Sequence, residues 1–379
     1  MSTDHDLSTI AGAQAYLAPT QFASTSVVLL CGMHSNFTYR LHLLTPYKGH
    51  STLVMKYARS DIVLSASEIL SAMERQTFEA KALERIRKEL DCGPFATVPE
   101  LHHFDEQAHV IIMEDCGSQS LNLKQLMLTA TPSPAIAREI GLALGQFLGR
   151  LHLWGASDSS LLDAFDQNKQ AKKITAWITY ERLISTLTTD KIPAVACLPT
   201  PVPDDTLDAL RLIVAERTAE IHHSRETLTM GDFWTGNVMV TLGSADGGIE
   251  QPPALERVHV IDWELVKPGV AALDIGQFCA EVHTLTLFRP DTTESASALI
   301  DAFLTAYRAH CGTMAPRTPS AAAKHMGAHL VVITPWVGWG TPQDTVKAID
   351  VGLTYLIEGG SEQWVREKSI FGPLLQSGI

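Results

Sequence analysis

The stretch from Leu228 to Glu281 limits what this chain can be more than any other. It contains Met230-Gly231-Asp232-Phe233-Trp234-Thr235-Gly236-Asn237 and, further on, Val260-Ile261-Asp262-Trp263-Glu264. A short apolar run, Val238-Met239-Val240, follows the first group, and Val258 to Ile261, broken only by His259, leads into the second. Short β-branched runs bounded by turn residues read as two strands of a hairpin, with the Gly- and Pro-rich segment from Thr241 to Pro253 as its connection. Such a hairpin puts Asp232 and Asn237 at one mouth and releases Asp262 at the same end. Magnesium takes hard oxygen ligands, usually one or two protein groups completed by water and phosphate. Asn237 and Asp262 suit that role, and Asp232 suits a carboxylate that accepts a hydroxyl proton. A plain turn with an Asn cap explains Asp232 and Asn237 alone; the two strands and the strand-end Asp-Trp-Glu favour the catalytic reading.

Kinase catalytic loops have the same order, an Asp, an Asn five residues on, and a later Asp on the metal. The chain resembles the aminoglycoside phosphotransferase and choline kinase-like superfamily, in particular its fungal branch related to methylthioribose kinase. The similar stretches are Glu226-Thr227-Leu228-Thr229-Met230 with the loop that follows, Asp262-Trp263-Glu264-Leu265-Val266-Lys267, and Leu273-Asp274-Ile275-Gly276. The resemblance implies an α+β, two-lobed protein-kinase-like fold. Residues 1–117 would form an antiparallel β-sheet N-lobe with a hinge near 114–117. Residues 118–379 would form a mostly helical C-lobe with catalytic loop 230–237 and metal segment 260–264. ATP and Mg2+ are the implied cofactors, and the implied acceptor is a small-molecule hydroxyl. Most of the superfamily carries His where this chain has Met230, so Met230 is expected to pack as an apolar brace. The H-R-D, D-F-G and A-P-E patterns are missing, which argues against protein substrates.

Earlier in the chain, the strands expected at Thr25 to Leu30 and Phe37 to Leu44 flank Cys31-Gly32-Met33-His34-Ser35-Asn36. Backbone N–H groups of such a turn can receive phosphate, and Gly32 and Asn36 are the candidates; an ordinary hairpin has the same pattern. The apolar strand Thr52 to Ala58 carries Lys56, either an edge lysine or the group that holds the α and β phosphates. A helix is expected from Ser65 to Leu90, with Phe78, Ala82 and Ile86 on one face and Glu79 beside it. Glu79 resembles the helix glutamate that pairs with that lysine; a solvated glutamate is the alternative. Two further strands lead to Glu114-Asp115-Cys116-Gly117. By the resemblance, the carbonyl of Glu114 and the N–H of Cys116 would bind adenine, with Met113 packing on the base.

The acceptor leaves a weaker trace. Trp234, Glu281, Trp336 and Trp339 are the candidates. The last two are three residues apart and so expected on one side, either as core or as an aromatic wall for an aromatic or cationic molecule. Asp274 is expected to cap the helix that follows it and to brace the loop, and His152 to be a core or helix-end histidine. The net charge of −13, without a long basic run, argues against nucleic acid and anionic membranes as partners. Six scattered cysteines form no metal or disulfide spacing, and no apolar run is long enough to span a bilayer, so a reduced, cytoplasmic protein is expected. The resemblance implies a kinase of an amine-bearing or indole metabolite. The alternatives are a methylthioribose-, choline- or aminoglycoside-type phosphotransferase and, in another class, a nucleotide-binding scaffold.

Overall fold

Alternating apolar residues in the first third of the chain build an antiparallel sheet. The computed structural model describes residues 5–33, 36–59, 62–65, 68–70, 72–189, 191–243 and 253–376. Its contacts divide it into one unit of Met1–Glu89, Val98–Ser120 and Ile261–Leu265, and a second of Leu90–Thr97, Leu121–Val260 and Val266–Ile379. Helix α1 (Ile10–Leu17) begins where the Thr9 side chain accepts from the Gly12 N–H. It is followed by β1 (Ser24–Met33), β2 (Asn36–Tyr47), β3 (His50–Ala58), β4 (Ile62–Ser65), β5 (Glu68–Leu70) and α2 (Ala72–Glu89). After β6 (Ala96–Thr97), a strand of the second unit, come β7 (Leu101–Asp105) and β8 (Val110–Glu114).

The sheet order is β1-β2-β3-β8-β7, with every neighbour antiparallel. Tyr39, Leu41, Leu53, Met55, Val110 and Ile112 alternate onto one face and pack with Leu17 and Phe22 in the core. Lys56 falls between these positions, so it emerges on the other face with Val54, and there α2 carries its partners. The helix predicted from Ser65 starts only at Ala72, because Ile62–Ser65 and Glu68–Leu70, rich in apolar strand formers, pair as a hairpin. The residues His34 and Ser35 of the expected phosphate turn lie outside the described residues, and Gly32 belongs to β1, opposite Phe37.

The second unit is mostly helical. In order it holds β9 (Leu121–Asn122), α3 (Leu123–Thr129), α4 (Pro134–Ser157), α5 (Ser159–Phe165), α6 (Lys169–Ala176), α7 (Leu183–Thr188), α8 (Pro193–Ala196), α9 (Asp204–His223) and β10 (Thr227–Thr229). Then follow β11 (Val238–Gly243), β12 (Ala254–Val260), β13 (Lys267–Gly269), α10 (Ala272–Phe288), α11 (Thr293–His310), α12 (Thr318–Val332), α13 (Thr334–Val337), α14 (Pro342–Glu358) and α15 (Glu362–Lys368). Between α6 and α7 the chain passes through a π-helical turn, Trp177–Glu181. The predicted hairpin is β11 with β12, Val238 opposite Val260; β11 runs on to Gly243, and residues 244–252 of the connection lie outside the described residues.

Helix α4 is the post on which this unit is set. Gly141, Gly145 and Gly149 recur every fourth residue, and a Cβ at each would run into the backbone of α11. At its far end Gly155 gives the same close approach to Leu228, and the His152 carbonyl accepts from Thr227 Oγ1 at 2.6 Å. Strand β10, which leads into residues 230–237, is thereby fixed to a long helix, and it pairs with β13, Thr229 opposite Lys267. Among the described residues no helix is long and apolar enough to cross a membrane.

Candidate active site

In the first unit the sheet and α2 close around one cation. Lys56 Nζ lies 2.6 Å from Glu79 Oε2, 2.6 Å from Asp262 Oδ1 and 3.9 Å from Glu264 Oε2. Burial works against its charge, but Asp262, Glu79 and Glu264 outweigh that cost and hold its pKa above the ordinary lysine value. Gln76, one turn before Glu79's face on α2, donates from Nε2 to the Lys56 carbonyl at 3.0 Å. The sequence therefore named two members of this cluster that the fold brings together, Lys56 and Glu79, and a third in Asp262.

Glu264 was not among the sequence candidates, and it ties the cluster to α2 and β2. Its Oε1 accepts from Arg75 Nη1 and its Oε2 from Asn36 Nδ2, both at 3.0 Å. The signal was present in Asp-Trp-Glu: Trp263 is fully buried, and the residues on either side of it both reach Lys56. Asp262 itself has φ 65°, the left-handed region that a residue with a Cβ enters at a cost. Glu79, Asp262 and Glu264 offer oxygens within 4.8 Å of one another. Burial raises the Glu79 pKa to about 7 although Lys56 pulls it down; hard oxygens at this spacing fit Mg2+. Asn36 Oδ1, buried and without a hydrogen-bond partner, is a further oxygen beside the cluster.

The remaining nucleotide candidates also lie in this unit. Met113 is buried near the end of β8, and the Cys116 N–H donates to nothing among the described residues. Glu114 Oε2 accepts from the Glu100 N–H at 3.0 Å, which anchors the strand end. Beyond it, the Arg40 guanidinium grips Asp115 with two bonds, 2.7 and 2.8 Å, and reaches the Gly117 carbonyl at 3.2 Å. That fork fixes the backbone of 114–117. Gly32 packs tightly, since a Cβ there would come within 3.2 Å of Leu29 and Phe37.

The second unit holds Asp232 by both carboxylate oxygens. Gln277 Nε2 donates to Oδ1 at 2.7 Å and Asn237 Nδ2 to Oδ2 at 3.0 Å; Asn237 Nδ2 also reaches the Asp232 carbonyl at 3.0 Å. The Asn237 amide is thus oriented by its nitrogen, and its Oδ1 accepts no hydrogen bond among the described residues. Such an oxygen suits a hard cation. The loop is braced by Asp274, whose Oδ2 and Oδ1 accept from the N–H groups of Met230 and Gly231, both at 2.9 Å. Asp274 does not cap its helix: α10 starts at Ala272, and Asp274 sits inside its first turn. His152 Nε2 lies 3.1 Å from Asp274 Oδ2 and its Nδ1 3.0 Å from Tyr307 Oη, so this core histidine helps to hold the brace. Met230 is fully buried, as an apolar brace requires. Lys267, another residue the sequence did not single out, is fully buried opposite Thr229; burial pushes its pKa down to about 8 against the pull of Asp274 and Asp232.

The four acceptor candidates separate. Trp234 lies beside Lys124, whose Nζ is 5.5 Å from its ring centroid and 4.0 Å from that of Trp339. Trp339 stacks on Phe288, with centroids 6.0 Å apart. Trp336 does not share that face: Gly338, at φ 69°, ends α13 between the two, and Trp336 is 64% exposed. Glu281 is buried on α10 with Oε1 2.8 Å from His329 Nε2.

A family model described as the phosphotransferase enzyme family matches residues 49–313. The chain belongs to this family. It is 27% identical over 339 residues to the 4-hydroxytryptamine kinase of Psilocybe cubensis, covering 87% of this chain and 86% of that protein. With the 4-hydroxytryptamine kinase of Psilocybe cyanescens it shares 27% identity over 364 residues, 94% of each chain. Among solved structures, a choline/ethanolamine kinase family protein from Mesorhizobium loti is 14% identical with a TM-score of 0.48, covering 96% of this chain and 97% of that one. As a member of the phosphotransferase enzyme family the protein is a small-molecule kinase that phosphorylates a hydroxyl.

Proposed function

We propose that the protein transfers the γ-phosphoryl group of ATP, with Mg2+, to a hydroxyl of an amine-bearing or indole metabolite such as 4-hydroxytryptamine. The observation that carries this reading is the hydrogen bond from Asn237 Nδ2 to Asp232 Oδ2. It joins a carboxylate suited to take a proton to an amide whose oxygen is left for a metal ion. Asp232 accepts the hydroxyl proton as the acceptor oxygen bonds to the γ-phosphorus and the bond to the bridging oxygen breaks, releasing ADP. Gln277 and Asn237 hold the carboxylate in place, and Asp274 holds the backbone beneath it. Lys56, fixed by Glu79, binds the α and β phosphates; Asp262 in the first unit and the unengaged Asn237 oxygen in the second are the groups that would suit Mg2+. Bound magnesium neutralises charge on the phosphates. The residues contribute chiefly by positioning and electrostatics. The indole and amine preference is supported by the names of the two Psilocybe relatives and by the aromatic rings of Trp234 and Trp339 in the second unit.

The test is phosphate transfer from ATP to 4-hydroxytryptamine, choline, methylthioribose and kanamycin, with Asp232→Asn as control. Selective turnover of 4-hydroxytryptamine that depends on Asp232 and stops when EDTA removes magnesium is the expected result. Selective turnover of another panel member replaces the acceptor. ATP binding without turnover of any panel member rejects these four acceptors and points to an untested acceptor or to a nucleotide-binding scaffold.

A further inference from the structure

Within the second unit one buried carboxylate oxygen is left unmatched. Glu281 is 4% exposed; its Oε1 is engaged by His329, while Oε2 is buried and has no hydrogen-bond partner. Burial opposes its charge, yet the hydrogen bond from His329 and the fields of His329 and Lys124 keep its pKa below the ordinary glutamate value. A buried carboxylate with an unused oxygen is costly unless something donates to it.

Its place on the helix says what that something is attached to. Glu281 follows Gln277 by four residues on α10, so both lie on one face, and Gln277 is bonded to Asp232. A hydroxyl at Asp232 and a donor at Glu281 are therefore separated by about one helical turn, roughly 5.4 Å. A ring with a short aminoalkyl arm spans that distance. Phe288, seven residues beyond Glu281 on the same stripe, carries Trp339, and Lys124 lies over Trp339 and toward Trp234. Lys124 makes no hydrogen bond or ion pair among the described residues. Burial lowers its pKa while Glu281 pulls it back up, so the two charges feel each other without touching. The chain keeps its own ammonium against the aromatic rings that a cationic, aromatic molecule would use.

We propose that Glu281 Oε2 is the partner of the acceptor's protonated amine, and that Lys124 is a place-holding cation which the acceptor displaces from between Trp234 and Trp339. This rests on the phosphotransferase reading above and assigns the specificity residues of its acceptor site. Lys124 then works against binding, whereas Glu281 works for it.

Tryptamine, which lacks an acceptor hydroxyl, and neutral N-acetyltryptamine report binding without transfer. Calorimetry on the full chain should show tryptamine binding tighter than the amide by about tenfold or more, the worth of a charge-assisted hydrogen bond. Glu281→Gln, which keeps the shape and the contact to His329, should erase that preference. Lys124→Met should tighten tryptamine several-fold and leave the amide less affected. A preference that survives Glu281→Gln, the absence of any preference for the amine, or weaker tryptamine binding by Lys124→Met would overturn the assignment. ATP binding and the melting temperature of each variant separate these results from misfolding. Asp232-dependent transfer to 4-hydroxytryptamine with a KM unmoved by Glu281→Gln would sink this inference and leave the kinase reading intact. A Glu281-dependent amine preference without transfer to any hydroxyl would do the reverse.

Discussion

Each unit buries one lysine next to its candidate catalytic residues, and the two lysines are held in opposite ways. Lys56 in the first unit is 5% exposed and touches Glu79 and Asp262 directly, each at 2.6 Å; its charge is stabilised beyond that of a lysine in water. Lys267 in the second unit is fully buried, and burial wins: its pKa falls to about 8 although Asp274 and Asp232 pull it upward. At Lys56 three carboxylates, two of them in contact, offset the cost of burial; at Lys267 the pull of Asp274 and Asp232 offsets it only in part. One lysine is therefore a permanent cation suited to phosphate. The other is a charge under strain beneath the loop that carries Asp232.

The largest effect should come from the second unit's carboxylate. Asp232→Asn should lower kcat by roughly 10²- to 10⁴-fold with ATP binding unchanged; near-normal turnover would move the proton-accepting role elsewhere. Next is the first unit's cation. Lys56→Met strands Glu79, Asp262 and Glu264 together and should cost about 3–5 kcal/mol in urea unfolding, besides weakening ATP binding. A loss below 1 kcal/mol, measured against the ~0–1 typical of surface pairs, would mean the cluster is looser than its distances say.

The contrast itself is tested by pH. The folded-state pKa of Lys267 lies near 8 and that of an ordinary lysine is 10.5, so between these the unfolded chain holds a proton that the folded chain has released. Stability from this group therefore rises with pH across that window, by an amount on the order of 3 kcal/mol. Lys267→Met should remove the rise, read as the difference between variant and parent unfolding curves from pH 8 to 10.5; identical slopes would show that Lys267 stays charged. The smallest effect belongs to Arg75→Gln. It removes one charge-assisted bond to Glu264, which keeps Asn36, and should cost about 2 kcal/mol.

What could be read in advance follows from what periodicity and spacing encode. Alternation in Thr52 to Ala58 put Lys56 on a half-buried face, and the helical repeat of Phe78, Ala82 and Ile86 put Glu79 next to the buried stripe of α2. Both are local patterns, and they were enough to nominate the pair that the fold brings to 2.6 Å. The hairpin after Asn237 and the return to Asp262 are legible for the same reason. Local patterns failed where the partner is distant in sequence. Asp274 was expected both to cap its helix and to brace the loop; it does not cap, and its brace is made to two loop N–H groups more than forty residues away in the chain. Trp336 and Trp339 looked like one face until Gly338 turned the chain between them.

By itself the sequence determined the order of the elements, the α+β division and the residue types able to carry phosphoryl transfer, since those depend on short-range propensity, burial period and chemical identity. Only the tertiary structure decided that Glu264 is shared by Arg75 and Asn36, that Gln277 and Asn237 aim Asp232, and that burial lowers the pKa of Lys267 while carboxylates raise that of Lys56. It alone also left Glu281 with an unanswered oxygen. Electrostatic balance and hydrogen-bond satisfaction depend on distances of a few ångströms between residues far apart in the chain, and packing alone sets those distances.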